Sequence, residues 1–116
     1  MTGGMEWLVD AHGCEPARLR DPARIRALLD LVVVELDLHV VGEPMIHAFG
    51  GPGGVTALYL LRESHLACHT YPESGLATFN LYCCRERPAF DWAAACHERL
   101  GASRVAASSH RRGGTP

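Results

Sequence analysis

The chain contains no lysine, and all eleven of its basic residues are arginines. Without a side-chain amine, the protein cannot anchor pyridoxal phosphate or form a Schiff base between its own lysine and a carbonyl substrate. The formal net charge is −2, so there is no electrostatic case for nucleic-acid binding. Carbonyl chemistry in this chain therefore needs an electrophile of another kind.

Long apolar runs are also absent, and none approaches the roughly 18 residues that a membrane span needs. The first residues, Met1–Glu6, lack the basic and apolar regions of a secretory signal. A length of 116 residues, 47% of them hydrophobic, suits one domain with a single core. We expect a cytoplasmic protein whose single domain covers residues 1–116.

The five cysteines include no C-x-x-C pair. An odd number of cysteines in a chain without an export signal predicts reduced thiols. A zinc site would have to combine His65, Cys68, His69, Cys83 and Cys84, but adjacent Cys83 and Cys84 would point to opposite faces of a strand. We predict no metal site and interpret most of the cysteines as small buried apolar residues.

Hydrophobic periodicity predicts two helices and six strands in the order β-α-β-β-β-β-α-β. Asp21 followed by Pro22 is typical of a helix start, and apolar residues recur at helical spacing to about residue 36. Two helices on one face of a largely antiparallel sheet make a two-layer α+β sandwich. The second helix is predicted over Pro88–Leu100, and the predicted strands are Met5–Ala11, His39–Phe49, Val55–Arg62, His65–Thr70, Leu76–Cys84 and Ser103–His110.

Three local features complete the predicted fold. His12–Pro16 is interpreted as a turn, and Arg111–Pro116 as a polar tail outside the sheet. In the strand Leu76–Cys84, alternate residues are predicted to share one face. In the second helix, the predicted apolar stripe consists of Phe90, Ala93, Ala94 and His97.

The segment Leu61–Glu73, LRESHLACHTYPE, concentrates the reactive side chains of the chain. It places Ser64 among two histidines, a cysteine and two carboxylates, directly after an apolar run. The pair Glu63-Ser64 falls at the junction of two predicted strands. A serine on a strained turn can supply an electrophile from the chain itself, whereas an ordinary turn serine has no chemical role.

Four short motifs carry a family resemblance: Glu63-Ser64-His65, His69-Thr70, Pro72-Glu73 and Cys84. Together they resemble the short bacterial and archaeal S-adenosylmethionine decarboxylases, over most of residues 5–110. The resemblance implies that the chain cuts itself into residues 1–63 (the β chain) and 64–116 (the α chain). It implies that Ser64 becomes a pyruvoyl cofactor, that the cleaved protomers form a homodimer, and that the product supplies aminopropyl groups for spermidine synthesis.

The same resemblance assigns three further catalytic residues. His69 matches the histidine that takes a proton in the β-elimination step, a role that suits an imidazole because its pKa is near neutral. Thr56 matches a serine that assists the acyl shift and keeps the hydroxyl. Cys84 matches the cysteine that returns a proton after decarboxylation, with neighbouring Cys83 as the alternative. His69 has the alternative of a strand histidine bonded to the backbone.

Substrate contacts are implied for several side chains near these motifs. Glu73 matches a glutamate that accepts hydrogen bonds from the ribose, although a solvated turn carboxylate is the alternative. Tyr71 replaces the commoner tryptophan and still offers an aromatic face, and Trp7 is a second candidate ring. The main departure is Gly50, where the family often has the aromatic residue that stacks on adenine; Phe49 stands one position earlier, and a bulge would let it take over.

Two other functions stay open at this point. One is a pyruvoyl-dependent decarboxylase of ornithine or arginine on the same fold, which the glycine in place of the stacking ring would favour. The other is an unprocessed, non-catalytic partner protein. Intact mass separates an enzyme from a partner, and carbon dioxide release from the three substrates separates the enzymes.

Overall fold

The structure is a computed structural model that describes residues 3–84 and 87–114. In that part of the chain, no helix is long and apolar enough to cross a membrane. The described elements include a single 3₁₀ turn, Pro72–Ser74, between the fourth and fifth strands. In chain order, the strands and helices are β1 (Gly3–His12), α1 (Pro16–Leu19), α2 (Pro22–Glu35), β2 (Met45–Ala48), β3 (Val55–Leu61), β4 (Ser64–Tyr71), β5 (Leu76–Cys83), α3 (Trp92–Leu100) and β6 (Arg104–Gly113).

The strands form one sheet in the order β2-β3-β4-β5-β1-β6, and every neighbouring pair is antiparallel. Side chains alternate strictly along the central strands, so that in β5 the residues Ala77, Phe79, Leu81 and Cys83 are buried. These buried residues form one core with α2 and α3, which cover this face of the sheet. The predicted α+β two-layer sandwich and the predicted alternation in β5 are both confirmed.

The helix α2 follows its sequence signals closely. The Asp21 carboxylate accepts hydrogen bonds from the backbone N–H groups of Ala23 and Arg24, which caps the helix start as predicted. Its predicted apolar residues are all buried: Ile25, Leu28, Leu29, Val32 and Leu36. These side chains pack on the covered face of the sheet.

The prediction of a strand over residues 39–49 was wrong in its extent. Only Met45–Ala48 pairs with β3, and Val40 makes an isolated bridge to Leu61. Gly42 has a φ of +71°, which turns the chain, and Pro44 has no N–H to donate to a ladder. The residues before this turn instead run along the end of β3, a position that matters for the site.

The second predicted helix starts later than its sequence suggests. Helix α3 begins at Trp92, because the Asp91 carboxylate caps it by accepting from the N–H of Ala94 at 3.0 Å. The predicted apolar stripe was also wrong, because the large Trp92 ring enters the core beside Phe79 and turns the other face of the helix inwards. The buried residues of α3 are Trp92, Ala95, Cys96 and Leu100.

Two terminal predictions also differ from the structure. Residues 111–113 belong to β6, because they pair with Gly3–Met5 of β1; the rest of the predicted tail includes Thr115 and Pro116, which lie outside the described residues. The predicted turn at His12–Pro16 leads into a short helix, α1, that was not predicted. The Glu15 N–H donates to the Leu100 carbonyl at 2.9 Å, which ties this connection to the end of α3.

The sheet face opposite the helices, here called the open face, is covered by no other element among residues 3–84 and 87–114. It carries large apolar side chains from β1, β2 and β3 that are 42–71% exposed: Leu8, Met45, Leu58 and Leu60. Several residues of the predicted site share this face. Exposed apolar side chains grouped on one uncovered sheet face are typical of an interaction site.

Candidate active site

The predicted cleavage point lies in the two-residue turn between β3 and β4. Leu61 pairs with Ser64, so Arg62 and Glu63 form the turn itself. The Glu63 carbonyl accepts a hydrogen bond of 2.8 Å from the N–H of Cys84, just beyond β5. The carbonyl group that Ser64 would attack is therefore held and polarised by a backbone donor. We call Glu63, Ser64 and Cys84 the cleavage-turn group.

Ser64 has a backbone φ of +152°, which L-residues other than glycine rarely adopt. A residue held in such a region stores about 1–3 kcal/mol of strain and needs its surroundings to keep it there. Ser64 pairs on one side with Leu61 and on the other with Cys83, so β3 and β5 both hold it. The strain at Ser64 favours a rearrangement that breaks the Glu63–Ser64 peptide bond, because Ser64 can then leave this conformation.

The Glu63 side chain is 4% exposed. Its carboxylate accepts from the His39 N–H at 3.0 Å, contacts the His39 ring Nδ1 at 2.6 Å, and lies 3.3 Å from Arg87 Nη2. Burial opposes ionisation of this carboxyl, but the hydrogen bonds from His39 outweigh burial and hold the pKa of Glu63 below its usual value. The Glu63 side chain thus holds the turn in place through its contacts with His39 and Arg87.

A second group of predicted residues lies at the opposite end of the β3–β4 hairpin. Thr56 and His69 are direct cross-strand partners on the open face, and Thr56 Oγ1 is 3.1 Å from His69 Nδ1. His47 of β2 pairs with Thr56 on the other side, so three polar side chains form a row across three strands. His47 was not among the predicted site residues, although it lies in a predicted strand.

Tyr71, Glu73 and Phe49 complete this end of the hairpin. Tyr71 is the last residue of β4, and Glu73 lies in the exposed 3₁₀ turn that follows. Phe49 is 63% exposed, and its ring meets the His47 ring edge-on with centroids 4.6 Å apart. We call Thr56, His69, Tyr71, Glu73 and Phe49 the far-end group.

The two groups do not meet within the chain. Ser64 and His69 are five residues apart on one strand, which corresponds to about 16 Å at the usual rise of a β-strand. Cys84 stays with Ser64, because the preceding residue, Cys83, is the partner of Ser64 in the sheet. The structure therefore divides the predicted site into two parts at opposite ends of a hairpin.

Trp7 belongs to neither part. It pairs with Leu81 and packs against the core on the covered face, beside a cavity of about 170 Å³ that Phe90 and Trp92 also line. Its role as a ring wall for the substrate stays a prediction, but its position in β1 directs it to the covered face, away from the far-end group. In β1, Trp7 alternates in phase with the buried residues Val9 and Ala11, and this pattern indicates that Trp7 faces the core.

A chain of polar contacts on the open face was also missed. His65 Nε2 contacts Asn80 Oδ1 at 2.7 Å, Asn80 Nδ2 donates to Glu6 at 2.8 Å, and Arg112 Nη1 donates to Glu6 at 2.6 Å. Because Asn80 donates through its nitrogen to Glu6, its oxygen must accept, so His65 Nε2 carries the proton. The hydrogen bonds from Asn80 and Arg112 lower the pKa of Glu6.

The cysteines and histidines that a zinc site would have to combine are separated by the sheet. Cys68 and Cys83 are buried on the covered face, whereas His65 and His69 are exposed on the open face. Within the described ranges, no group of three or more His, Cys, Asp or Glu is placed to hold a metal ion. Burial raises the pKa of Cys83 to about 11, although Arg87 nearby opposes the shift. Cys84 is only half-buried.

Comparisons with known proteins agree with one another. The sequence profile of the family described as S-adenosylmethionine decarboxylase matches residues 5–113. The chain is 34% identical, over 94% of its length and 84% of the relative's, to the S-adenosylmethionine decarboxylase proenzyme of Parasynechococcus marenigrum. It is also 34% identical to the proenzyme of Acetivibrio thermocellus, over 95% of this chain and 88% of the relative.

A solved structure gives the same result for the fold. The crystal structure of the adenosylmethionine decarboxylase from Aquifex aeolicus superposes with a TM-score of 0.78 at 29% identity, covering 99% of this chain and 94% of that one. Profile, relatives and structure thus converge over nearly the whole chain. We conclude that the chain belongs to the S-adenosylmethionine decarboxylase family.

Proposed function

We propose that this protein is a self-processing decarboxylase of S-adenosylmethionine, with a pyruvoyl cofactor made from Ser64. The observation that carries the proposal is the geometry of the Glu63–Ser64 bond. This bond leaves a two-residue turn, its carbonyl accepts the Cys84 N–H, and Ser64 has a positive φ. The chain's place in a family of proenzymes supports the same reading.

In the first step, Ser64 Oγ attacks the Glu63 carbonyl carbon, and the peptide bond is replaced by an ester. Negative charge builds on the carbonyl oxygen during the attack, and the Cys84 N–H, 2.8 Å away, stabilises it. Release of the positive φ at Ser64 favours the shift. The Cys84 N–H and the strained Ser64 backbone are the two features that suit this chain to making a pyruvoyl group from Ser64.

When formed, the pyruvoyl ketone supplies an electron sink for carbon dioxide loss, the task that pyridoxal phosphate performs elsewhere. The residues around Ser64 serve that ketone directly. Cys84 follows the strand partner of Ser64 and is half-buried, a position from which its thiol returns a proton after decarboxylation. The absence of lysine in the chain agrees with this route.

The separation of Ser64 from His69 supports a homodimer whose sites combine two protomers. Proton transfer needs contact, and about 16 Å along β4 forbids it within one chain. The open face carries the far-end group together with exposed Leu58 and Leu60, so a second copy on this face would bury apolar surface. We infer that the cleavage-turn group of one protomer faces the far-end group of the other.

The substrate assignment follows the far-end group. An exposed carboxylate at Glu73 suits ribose hydroxyls, and the rings of Tyr71 and Phe49 suit a base. The relatives bear the name of S-adenosylmethionine decarboxylase, so ornithine or arginine as substrate is not favoured, nor is a non-catalytic partner. The product would supply aminopropyl groups for spermidine synthesis, and the cytoplasmic location stays a prediction.

The test compares the wild type with Ser64→Ala and with Ser74→Ala, whose serine lies exposed in the 3₁₀ turn. Intact mass should show fragments 1–63 and 64–116 for the wild type and Ser74→Ala, but one chain for Ser64→Ala. Carbon dioxide release should be faster from S-adenosylmethionine than from ornithine or arginine and should vanish with Ser64→Ala. An intact wild type, or cleavage that persists in Ser64→Ala, would refute the proposal.

A further inference from the structure

Arg87 is a nearly buried cation beside the Cys83 thiol and the Glu63 carboxylate, and two of its donor atoms are not used by the part of the chain that the structure describes. Its side chain is 10% exposed, and its Nε and Nη2 atoms find no hydrogen-bond partner among residues 3–84 and 87–114. Nη2 lies 3.3 Å from Glu63 Oε2, an ion-pair distance without the alignment of a hydrogen bond. Unsatisfied buried donors are costly, so an arginine in this position asks for an explanation.

The Glu63 side chain does not provide that explanation. Its two carboxylate oxygens already contact the backbone N–H and the ring Nδ1 of His39, at 3.0 Å and 2.6 Å. Arg87 thus stands beside a carboxylate whose best hydrogen bonds go elsewhere. Its position is nevertheless fixed near the cleavage turn, since it follows Cys84, whose N–H holds the Glu63 carbonyl.

Cleavage of the Glu63–Ser64 bond changes the charge at this place. In the ester, a base removes the Cα proton of Ser64, the bond between Cβ and Oγ breaks, and its electron pair leaves with the oxygen. Glu63 then ends in a new main-chain carboxylate, and the dehydroalanine left at position 64 takes up water and loses ammonia. One buried residue now carries two negative charges where it carried one.

We propose that Arg87 is a positioning residue for the cleaved form, whose free donors bind the new main-chain carboxylate of Glu63 and hold fragment 1–63 against fragment 64–116. The inference rests on the proposed self-processing. Arginine suits the task because its planar fork binds a carboxylate through two parallel hydrogen bonds. The Nε and Nη2 donors, which have no hydrogen-bond partner among the described residues of the precursor, bind the carboxylate that cleavage creates.

The experiment measures Arg87→Met in two backgrounds, the cleaved wild type and the uncut Ser64→Ala precursor. Arg104→Met, at an exposed arginine of β6, is the matched control. Thermal unfolding of the cleaved protein should fall by about 5–10 °C with Arg87→Met, and the uncut precursor should lose much less or nothing. In urea, size exclusion should show the fragments of Arg87→Met separating at a lower concentration than those of Arg104→Met.

Arg87→Lys in both backgrounds repeats the comparison if the methionine variant does not fold, and it should again weaken the cleaved form more. Equal falls in unfolding temperature in the cleaved and uncut forms would overturn the inference. Arg87 would then stabilise the fold only through the Glu63 side chain, which both forms contain. A raised KM for S-adenosylmethionine at unchanged stability would overturn it in favour of a substrate contact. An uncut wild type would be visible by mass before any variant is made, and would remove the proposed function itself.

Discussion

Ser64 and His69 lie on the same strand, β4, at positions five residues apart, and their backbones are therefore about 16 Å from each other. Thr56 stays with His69 through a contact of 3.1 Å, and Cys84 stays with Ser64 through the pairing of Cys83. Within the chain the predicted reacting groups are therefore apart, and the proposed dimer would bring them together from two copies.

This arrangement predicts that two inactive variants restore each other. Ser64→Ala and His69→Ala should each fail to mature alone. When co-expressed, a mixed dimer has one site with Ser64 from one chain and His69 from the other, both intact. With random assortment, about a quarter of the sites should work. Intact mass should then show that only the His69→Ala chain is cut.

Co-expression of Ser64→Ala with Cys84→Ala serves as the control for that experiment. Because these two residues belong to one group, the intact site of the mixed dimer needs both from the same chain, and none has both. Carbon dioxide release should therefore not recover. Recovery here, or no recovery with His69→Ala, would contradict the shared site.

His69→Ala should stop processing after the acyl shift rather than before it. The shift needs Ser64, its strained backbone and the Cys84 N–H, none of which involves His69. The next step needs a base, and the imidazole is assigned to it. Hydroxylamine should therefore split the His69→Ala protein at the ester between residues 63 and 64. Normal maturation of this variant would make His69 a structural residue held by Thr56.

Sequence patterns predicted the elements of the sheet and the place of Ser64, because both depend on local order. Strict alternation in β5 and the Asp21-Pro22 signal act over a few residues, and both were confirmed. Which face of α3 is buried was not predictable in this way. It depends on the Trp92 ring finding Phe79 in the core, a contact between distant parts of the chain.

The division of the site also escaped the sequence for a physical reason. Close spacing in the chain made Ser64 and His69 look like neighbours, but an extended strand separates residues by about 3.3 Å each. Trp7 shares its face of β1 with buried Val9 and Ala11, a register that was not used when Trp7 was predicted as a substrate contact. Arg87 gave no pattern at all, since its burial beside Glu63 depends on a contact between distant parts of the chain.

Phe49→Ala should weaken the use of S-adenosylmethionine without preventing self-cleavage. The Phe49 ring is exposed and contacts His47, which pairs with Thr56 in the far-end group. Loss of one base-stacking ring costs about 1–3 kcal/mol, which would raise KM roughly fivefold to 150-fold. Steady-state kinetics would measure this rise, and Val34→Ala, at an exposed residue of α2, is the control. An unchanged KM would show that Phe49 does not take the place of the ring missing at Gly50.

The hydrogen bonds of Glu6 predict a pH-dependent contribution to stability. Bonds from Asn80 and Arg112 lower the pKa of Glu6 below its ordinary value of 4.5 in the folded protein. A lowered pKa means that the stabilisation is complete above pH 4.5 and is lost as the pH falls through the folded-state pKa.

Glu6→Gln should therefore lower the unfolding temperature at pH 7 by about 2–4 °C and have a shrinking effect below pH 4.5. Glu98→Gln, at an exposed residue of α3, is the matched control. Calorimetric scans between pH 3 and 7 would measure both variants. A difference between wild type and Glu6→Gln that grows as the pH falls would reverse the sign and contradict the assignment.

Substitution of Cys84 should affect catalysis, whereas substitution of adjacent Cys83 should affect stability. Cys84 is half-buried beside the partner of Ser64, whereas Cys83 is fully buried in the core, and burial raises its pKa to about 11. Cys84→Ala should leave unfolding nearly unchanged and slow carbon dioxide release about a hundredfold, because a positioned proton donor contributes that much or more. Cys83→Ala should instead lower the unfolding temperature by leaving a core void, with a smaller effect on the rate. If Cys83→Ala slows carbon dioxide release and Cys84→Ala does not, the proton donor is Cys83. Cys83 is the alternative to test because it pairs with Ser64 in the sheet.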